Sequence, residues 1–368
     1  MLNLLGIRIV CIQGVIMKKF VKILTLVVLA LTFALGMVAC SDNSNGGSND
    51  KGLIGKRQGD TWVISKFVDD GTTNLDIGEQ LELVLPDGVS KVKIKANAFS
   101  GNGTLKKVTI PASVVEIEAG AFAKMSKLEE LVLPFVGEVR NADVWNQETD
   151  QAPDSEKAIN AERTIAHIFG TEEYDEGSEV TIYYDSTSST KCYIPETLYK
   201  IQIVGTDNYK VPMYAFCGLT SISEIVLTGS ISEIGRYAFS KSGVRVIEIP
   251  ESVTRIHDGA FESSRVQQVL FSANVANGSV EIMDNAFRNC TLVKYIGEKV
   301  NTIPTNTINL AKFKFTSNFG VVDAQGNPVV QKAVGKNAFE FNNSTKYAVL
   351  GAGTNDLVKL FGEQEYNA

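Results

Sequence analysis

The sequence predicts a β-rich repeat solenoid: stacked coils of about 23 residues, with a parallel sheet of short strands and turns or short helices on the other face. Three observations predict it. An Ala-Phe pair recurs at Ala98-Phe99, Ala121-Phe122, Ala215-Phe216, Ala238-Phe239, Ala260-Phe261, Ala286-Phe287 and Ala338-Phe339. Five residues before each Phe stands a β-branched aliphatic: Ile94, Ile117, Val211, Ile234, Ile256, Ile282 and Val334. Five or six residues after the first six Phe comes another aliphatic, not always β-branched: Leu105, Leu128, Ile222, Val244, Val266 and Leu292. One such coil cannot bury its own apolar face, but a stack can.

Within one unit, Leu105-Lys-Lys-Val108-Thr-Ile110-Pro111-Ala-Ser-Val114-Val-Glu-Ile117-Glu-Ala-Gly-Ala121-Phe122, the Leu-x-x-Val-x-Ile part alternates as a half-buried strand does. Pro111 and Pro250 follow such strands, as do Pro86 and Pro134, and a residue without an amide donor ends the ladder there. The small-large Ala-Phe pair suits a turn packed back on the strands. The seven Phe, Phe339 included, are therefore the expected core column.

Ile110-Pro-Ala-Ser-Val114-x-x-Ile117 and Ile249-Pro-Glu-Ser-Val253-x-x-Ile256, each followed by Ala-Phe, resemble the BspA-like class of leucine-rich repeats. Cys290, three residues after Phe287, sits at the cysteine position of that class; Cys217, one residue after Phe216, does not. The resemblance covers residues 81–300 and more faintly runs to 340. It implies a bacterial surface protein engaged in adhesion and protein binding.

The start of the chain reads as a targeting segment. Met17-Lys18-Lys19-Phe20-Val21-Lys22 is basic, and Ile23 to Ala39 is uncharged and apolar up to Cys40. This is similar to a bacterial lipoprotein signal. It implies removal of residues 1–39 (true start Met17), lipidation of Cys40, and a membrane-anchored, extracytoplasmic and surface-exposed protein. Residues 40–55 then form a Gly/Ser/Asn tether, 56–80 a capping strand built on Trp62-Val-Ile-Ser-Lys-Phe67, 81–340 the solenoid, and 341–368 a C-terminal cap or tail.

Residues 135–193 break the period with 13 acidic and 4 basic residues. The spacing from Phe122 to Phe216 is 94, near four repeats, which suggests degenerate coils with an enlarged loop. Thr164-Ile-Ala-His-Ile-Phe169 and Val180-Thr-Ile-Tyr-Tyr184 are apolar enough to be ordered, and Ile194-Pro-Glu-Thr-Leu198-Tyr-Lys-Ile201-Gln-Ile203 resumes the repeat.

Composition weighs against catalysis. The only two histidines, His167 and His257, leave little for His-based metal or nucleophile chemistry. The net charge of −7, or −11 without residues 1–39, gives no footprint for nucleic acid. Neither a P-loop nor a nucleophile elbow occurs, and Glu172-Glu173-Tyr174-Asp175-Glu176 lacks the ligand spacing of a calcium loop. The expectation is a non-catalytic chain with no cofactor and no metal. Cys217 and Cys290 fall within repeat turns and read as small buried hydrophobes; a Cys192–Cys217 disulfide is the alternative.

The candidate binding residues lie on the outward face of the strands. One column gives Thr109, Val132, Val226, Glu248, Leu270 and Ile296; a second gives Lys107, Glu130, Glu224, Val246, Gln268 and Lys294. Apolar residues in the first column read either as a strip for a protein partner on a host or neighbouring cell or as ordinary strand formers. The acidic insert is the rival site, suited to a basic partner. A glycan-binding surface built on Trp145, Tyr174, Tyr183, Tyr184 and Tyr193 is the alternative, and a passive envelope spacer is the third reading.

Overall fold

A computed structural model describes residues 51–82, 88–140, 161–184, 187–303, 306–309, 313–314, 338 and 347–349. Cys40, Trp145, Val334 and Phe339 lie outside the described residues.

The elements in chain order are β1 (Gly52–Gln58), β2 (Thr61–Val68), β3 (Asn74–Asp76), α1 (Ile77–Glu82), β4 (Lys91–Ile94), β5 (Lys107–Thr109), β6 (Val114–Ile117) and β7 (Glu130–Leu133). The middle of the chain adds α2 (Ala166–Phe169), β8 (Gly177–Tyr183), β9 (Ser189–Pro195), β10 (Lys200–Val211) and β11 (Glu224–Ile234). The last part holds β12 (Val246–Ile249), β13 (Arg255–Ile256), β14 (Gln268–Phe271), β15 (Val280–Ile282), β16 (Tyr295–Glu298), β17 (Thr307–Asn309), β18 (Phe313–Lys314) and β19 (Tyr347–Val349).

Most coils contribute a strand to each of two ladders, parallel apart from the β1–β2 pair. The long ladder runs β19-β17-β16-β14-β12-β11-β10-β7-β5-β3. The second runs β1-β2-β4-β6, then resumes in the far half of β10 and passes through β11, β13, β15 and β18. Proline separates the two strands of a coil: Pro111 follows β5 and Pro250 follows β12, and neither has an N–H to extend the ladder. β10 and β11 have no proline there. Gly205-Thr206-Asp207-Asn208 and Thr228-Gly229-Ser230 carry the chain through a bulge instead, so each is one long strand shared by both ladders.

Between the ladders lies one continuous core. Leu105, Val108, Ile110, Val114, Ile117, Ala121 and Phe122 from a single coil are all buried in it. The Phe rings stack in two runs. Phe67, Phe99 and Phe122 have centroids 5.7 and 4.9 Å apart. Phe216, Phe239, Phe261 and Phe287 follow at 5.1, 5.1 and 5.0 Å. The turns are stitched together as well: Phe67, Phe99, Phe216, Phe239, Phe261 and Phe287 each donate an N–H to the alanine carbonyl of the next Ala-Phe level, at 2.7–2.8 Å. Phe287 makes this bond to Ala338, across 51 residues of chain.

Two left-handed residues bracket each of the first six Ala-Phe turns. Two positions before Phe stand Asn97, Gly120, Tyr214, Tyr237, Gly259 and Asn285, all with φ between 52° and 66°. Two positions after stand Gly101, Lys124, Gly218, Lys241, Ser263 and Asn289, with φ between 55° and 85°. At Gly259 glycine is required, because an added Cβ would meet the Tyr237 ring at 2.2 Å.

The insert is one enlarged coil rather than several. Glu130 of β7 pairs directly with Lys200 of β10, so the long ladder continues across the interruption without added strands. Ile168-Phe169 takes the Ala-Phe level, with Phe122 N–H donating to the Ile168 carbonyl at 2.9 Å. Ile165, Ile168 and Phe169 enter the core, and β8 and β9 form an antiparallel hairpin against the Cys217 turn through Tyr183 N–H to the Cys217 carbonyl. Where the second ladder is interrupted, Ile117 N–H donates to Glu138 O and Val136 N–H to the Tyr209 hydroxyl, at 2.8 and 2.9 Å.

Three further sequence expectations need correction. β1 begins at Gly52, inside the stretch read as tether, and pairs antiparallel with β2 to cover the end of the second ladder. Ile194-Pro195 ends β9, and Leu198-x-x-Ile201-x-Ile203 resumes the repeat at its first strand, not at its Ile-Pro turn. Tyr347–Val349, read as part of a cap or tail, pairs with β17 as a strand of the long ladder. The cysteines follow the buried-thiol reading: Cys192, Cys217 and Cys290 are free and buried, with no Cys192–Cys217 disulfide. Cys290 instead donates to the Phe261 carbonyl at 2.9 Å.

Candidate partner-binding surface

In the long ladder, period-two alternation sends Leu131, Ile201, Ile225, Ile247 and Val269 inward, leaving two outward columns in register. One runs Lys107, Glu130, Lys200, Glu224, Val246, Gln268, Tyr295 and Thr307. The other runs Thr109, Val132, Gln202 and Val226, and on through Glu248 and Leu270 to Gly297.

The sequence columns were right up to β14 and slipped at β16. Val269 pairs with Ile296 and Leu270 with Gly297, so Ile296 faces the core and is buried. Tyr295 therefore takes the place expected of Lys294. The same slip exposes Leu292 (46%) and buries Val293 in its stead. Lys200, Gln202 and the neighbouring Tyr199 also belong to this face and were missed; the Leu198-Ile201-Ile203 spacing was their signal.

The apolar strip does not survive this register. Thr109, Val132 and Val226 are half-buried, but Leu270 is only 5% exposed although it points outward. Lys299 Nζ meets Glu248 Oε1 at 2.5 Å, and this pair spans β14, the strand carrying Leu270. Tyr295 is also outward yet buried: its hydroxyl donates to the Glu298 carbonyl at 2.9 Å, across Gly297, where an added Cβ would meet the Tyr295 hydroxyl oxygen at 2.6 Å.

The first column begins as an alternating charge ladder. Lys107 meets Glu130 at 3.3 Å and Lys200 meets Glu224 at 3.1 Å, while Lys106 and Glu129 pair alongside at 2.8 Å. The Tyr199 hydroxyl donates to Glu130 Oε1 at 2.7 Å and, with Lys107, holds that carboxyl below its ordinary range. Beyond Glu224 the column is uncharged: exposed Val246 (43%), then Gln268.

Another set of charge pairs lies along the second ladder. Glu233 accepts from His257 Nε2 at 2.6 Å and meets Lys210 at 2.8 Å; Arg255 joins Glu281 at 2.8 Å. The His257 hydrogen bond foremost, then Lys210, pulls the Glu233 carboxyl down to about 2 against the cost of burial. His167, on α2, bonds through Nε2 to the Ile117 carbonyl at 3.1 Å, and burial lowers its pKa. Both histidines thus serve packing between coils.

Among the described residues, the insert aromatics do not gather on an open face. Tyr174, Tyr183, Tyr184 and Tyr193 are half-buried. Lys241 Nζ sits 4.1 Å from the Tyr183 ring centroid, and Tyr193 donates to Glu179 at 3.0 Å. In the acidic loop, Glu172 pairs with Lys124 at 2.9 Å.

Three similar solved structures are a leucine-rich repeat protein of T. pallidum, one of Bacteroides ovatus and a leucine-rich cell surface protein of Faecalibacterium prausnitzii. The first is 17% identical, covering 76% of this chain and 89% of that one, with a TM-score of 0.29. The second is 15% identical over 84% and 76%, TM-score 0.27; the third is 18% identical over 64% and 65%, TM-score 0.23. No curated protein matches the chain. The model of the BspA type leucine-rich repeat region matches in six copies at residues 80–141 and 181–318, more than half of the sequence. With the coil geometry and the recurring Ala-Phe turn, this makes the chain a member of the BspA-type leucine-rich repeat family.

Proposed function

We propose that this protein is an extracytoplasmic, membrane-anchored surface protein that binds a protein of a host or neighbouring cell and works by binding, not catalysis. The observation that carries this reading is the outward face of the long ladder. Coil after coil presents side chains in register on a shared sheet, a surface fixed by the core behind it. Family membership and the lipoprotein-like run ending at Cys40 support the surface location.

Val132→Lys with Val226→Lys changes two half-buried outward positions and leaves the core column intact. The soluble protein lacking residues 1–40 should capture a partner from surface-labelled cells, and the double variant should not. Unchanged capture by that variant, with loss when residues 141–160 are removed from a still-folded protein, would move the site to the insert. For the anchor, Cys40→Ala should shift the protein from membranes to the soluble fraction, because a lipid on that thiol is the proposed attachment. Mass spectrometry finding an unmodified Cys40 would sink it.

A further inference from the structure

On the first half of the long ladder's outward face the lysines have acids beside them: Lys106 with Glu129, Lys107 with Glu130 and Lys200 with Glu224. Further along, that pattern stops. Arg245, Arg265 and Lys294 are exposed, and none makes an ion pair or side-chain hydrogen bond among the described residues. They are neighbours. Gln267 N–H donates to the Arg245 carbonyl at 2.7 Å and Lys294 N–H to the Gln267 carbonyl at 2.8 Å, with Arg265 two residues before Gln267. Arg245 and Lys294 thus stand two strands apart, about 10 Å. Beside them are two exposed apolar side chains, Val246 and Leu292.

We propose that this strip docks an acidic segment of a protein partner whose carboxylates are interspersed with apolar side chains. The inference rests on the reading that the long sheet binds a protein, and it names the partner's chemistry. Charge complementarity is the argument. In a chain of net charge −7, three adjacent cations without internal partners form a local positive field that attracts and orients a negative one. Val246 and Leu292 decide between polyanions: a polypeptide supplies apolar side chains to cover them, whereas an anionic sugar chain does not.

The test uses a short labelled peptide repeating Glu-Glu-Leu, its Gln-Gln-Leu counterpart, a sulfated oligosaccharide and vesicles of anionic lipid. The protein lacking residues 1–40 is compared with Arg245→Glu/Arg265→Glu/Lys294→Glu and with Lys51→Glu/Lys56→Glu/Lys66→Glu, which makes the same charge change on the β1–β2 hairpin. We expect the acidic peptide to bind in preference to the others, more weakly as salt rises, and the first triple variant to lose about tenfold or more. The hairpin variant should change affinity by less than about twofold. Equal losses in both variants, silence of the acidic peptide at low salt, or binding of only oligosaccharide or vesicles would each overturn the proposal. If Val132→Lys/Val226→Lys abolishes cell-surface capture while the Arg245 triple variant leaves peptide binding and capture unchanged, the sheet reading stands and only this inference fails.

Discussion

Phe239 and Phe261 stack with ring centroids 5.1 Å apart and planes 6° from parallel, although 22 residues separate them in the chain. The Phe239 N–H donates to the Ala260 carbonyl at 2.7 Å, which fixes the spacing of the two levels. Phe239 also stacks on Phe216, so its removal opens a void between two rings. Phe239→Ala should cost about 3–5 kcal/mol. Phe67 has a ring neighbour on one side and sits at the start of the stack, so Phe67→Ala should cost less. Urea unfolding of the two variants measures the difference, and equal losses would contradict a load shared along the stack.

Ser263 is exposed and left-handed, with φ 58°, in a position where Gly101 and Gly218 stand in other coils. A side chain in that conformation costs about 1–2 kcal/mol, partly offset by the greater freedom of glycine when unfolded. Ser263→Gly should therefore raise stability by about 0.5–1 kcal/mol. Gly259→Ala should lower it, because the same conformation meets the Tyr237 ring. Opposite shifts of the urea midpoint are the expected reading.

The Ala-Phe column was legible because every coil needs one large ring against one small residue at the same depth. The left-handed brackets were not, since Asn, Gly, Tyr, Lys and Ser share those positions and no single residue type marks them. Leu292 and Val293 show why register failed at one strand. Both are aliphatic, and choosing the wrong one shifts the strand by a residue and turns every side chain over. The enlarged coil hid for a different reason. Its Ala-Phe level is filled by Ile168-Phe169, and β7 meets β10 across a separation that spacing alone reads as several repeats. Of the surface, sequence alternation found the outward columns but not the side chains that cover them. Nothing in the strand pattern marks Lys299 reaching Glu248, or Tyr295 lying over Gly297.

Glu233 and His167 respond to acid in separate windows. Glu233 has its carboxyl pulled down to about 2, so the stabilisation it provides is complete above its unfolded value near 4.5 and is lost as pH falls toward 2. His167 is lowered by burial, so the unfolded chain takes up its proton first. Stability tied to His167 is present above about 6.5 and declines as pH falls below that. Glu233→Gln should flatten the dependence below about 4.5, whereas His167→Gln, which keeps a donor for the Ile117 carbonyl, should flatten it just below 6.5. Denaturant titrations between neutral pH and about pH 2 separate the two, and a variant changing the other's window would refute the assignment.

Burial pushes the thiols of Cys192, Cys217 and Cys290 up to about 12, and all three are free. The thiolate is the reactive form, so at mildly alkaline pH each thiol is both uncharged and shielded. In the protein lacking residues 1–40, a thiol-reactive dye should leave the native state unmodified for as long as it stays folded. In denaturant without reductant, three equivalents should then react. One equivalent would mean that two of the cysteines are joined and the reduced core is wrong. Fast labelling of the folded protein would mean that the Ala-Phe turns bearing Cys217 and Cys290 open locally, contrary to their hydrogen-bonded stitching.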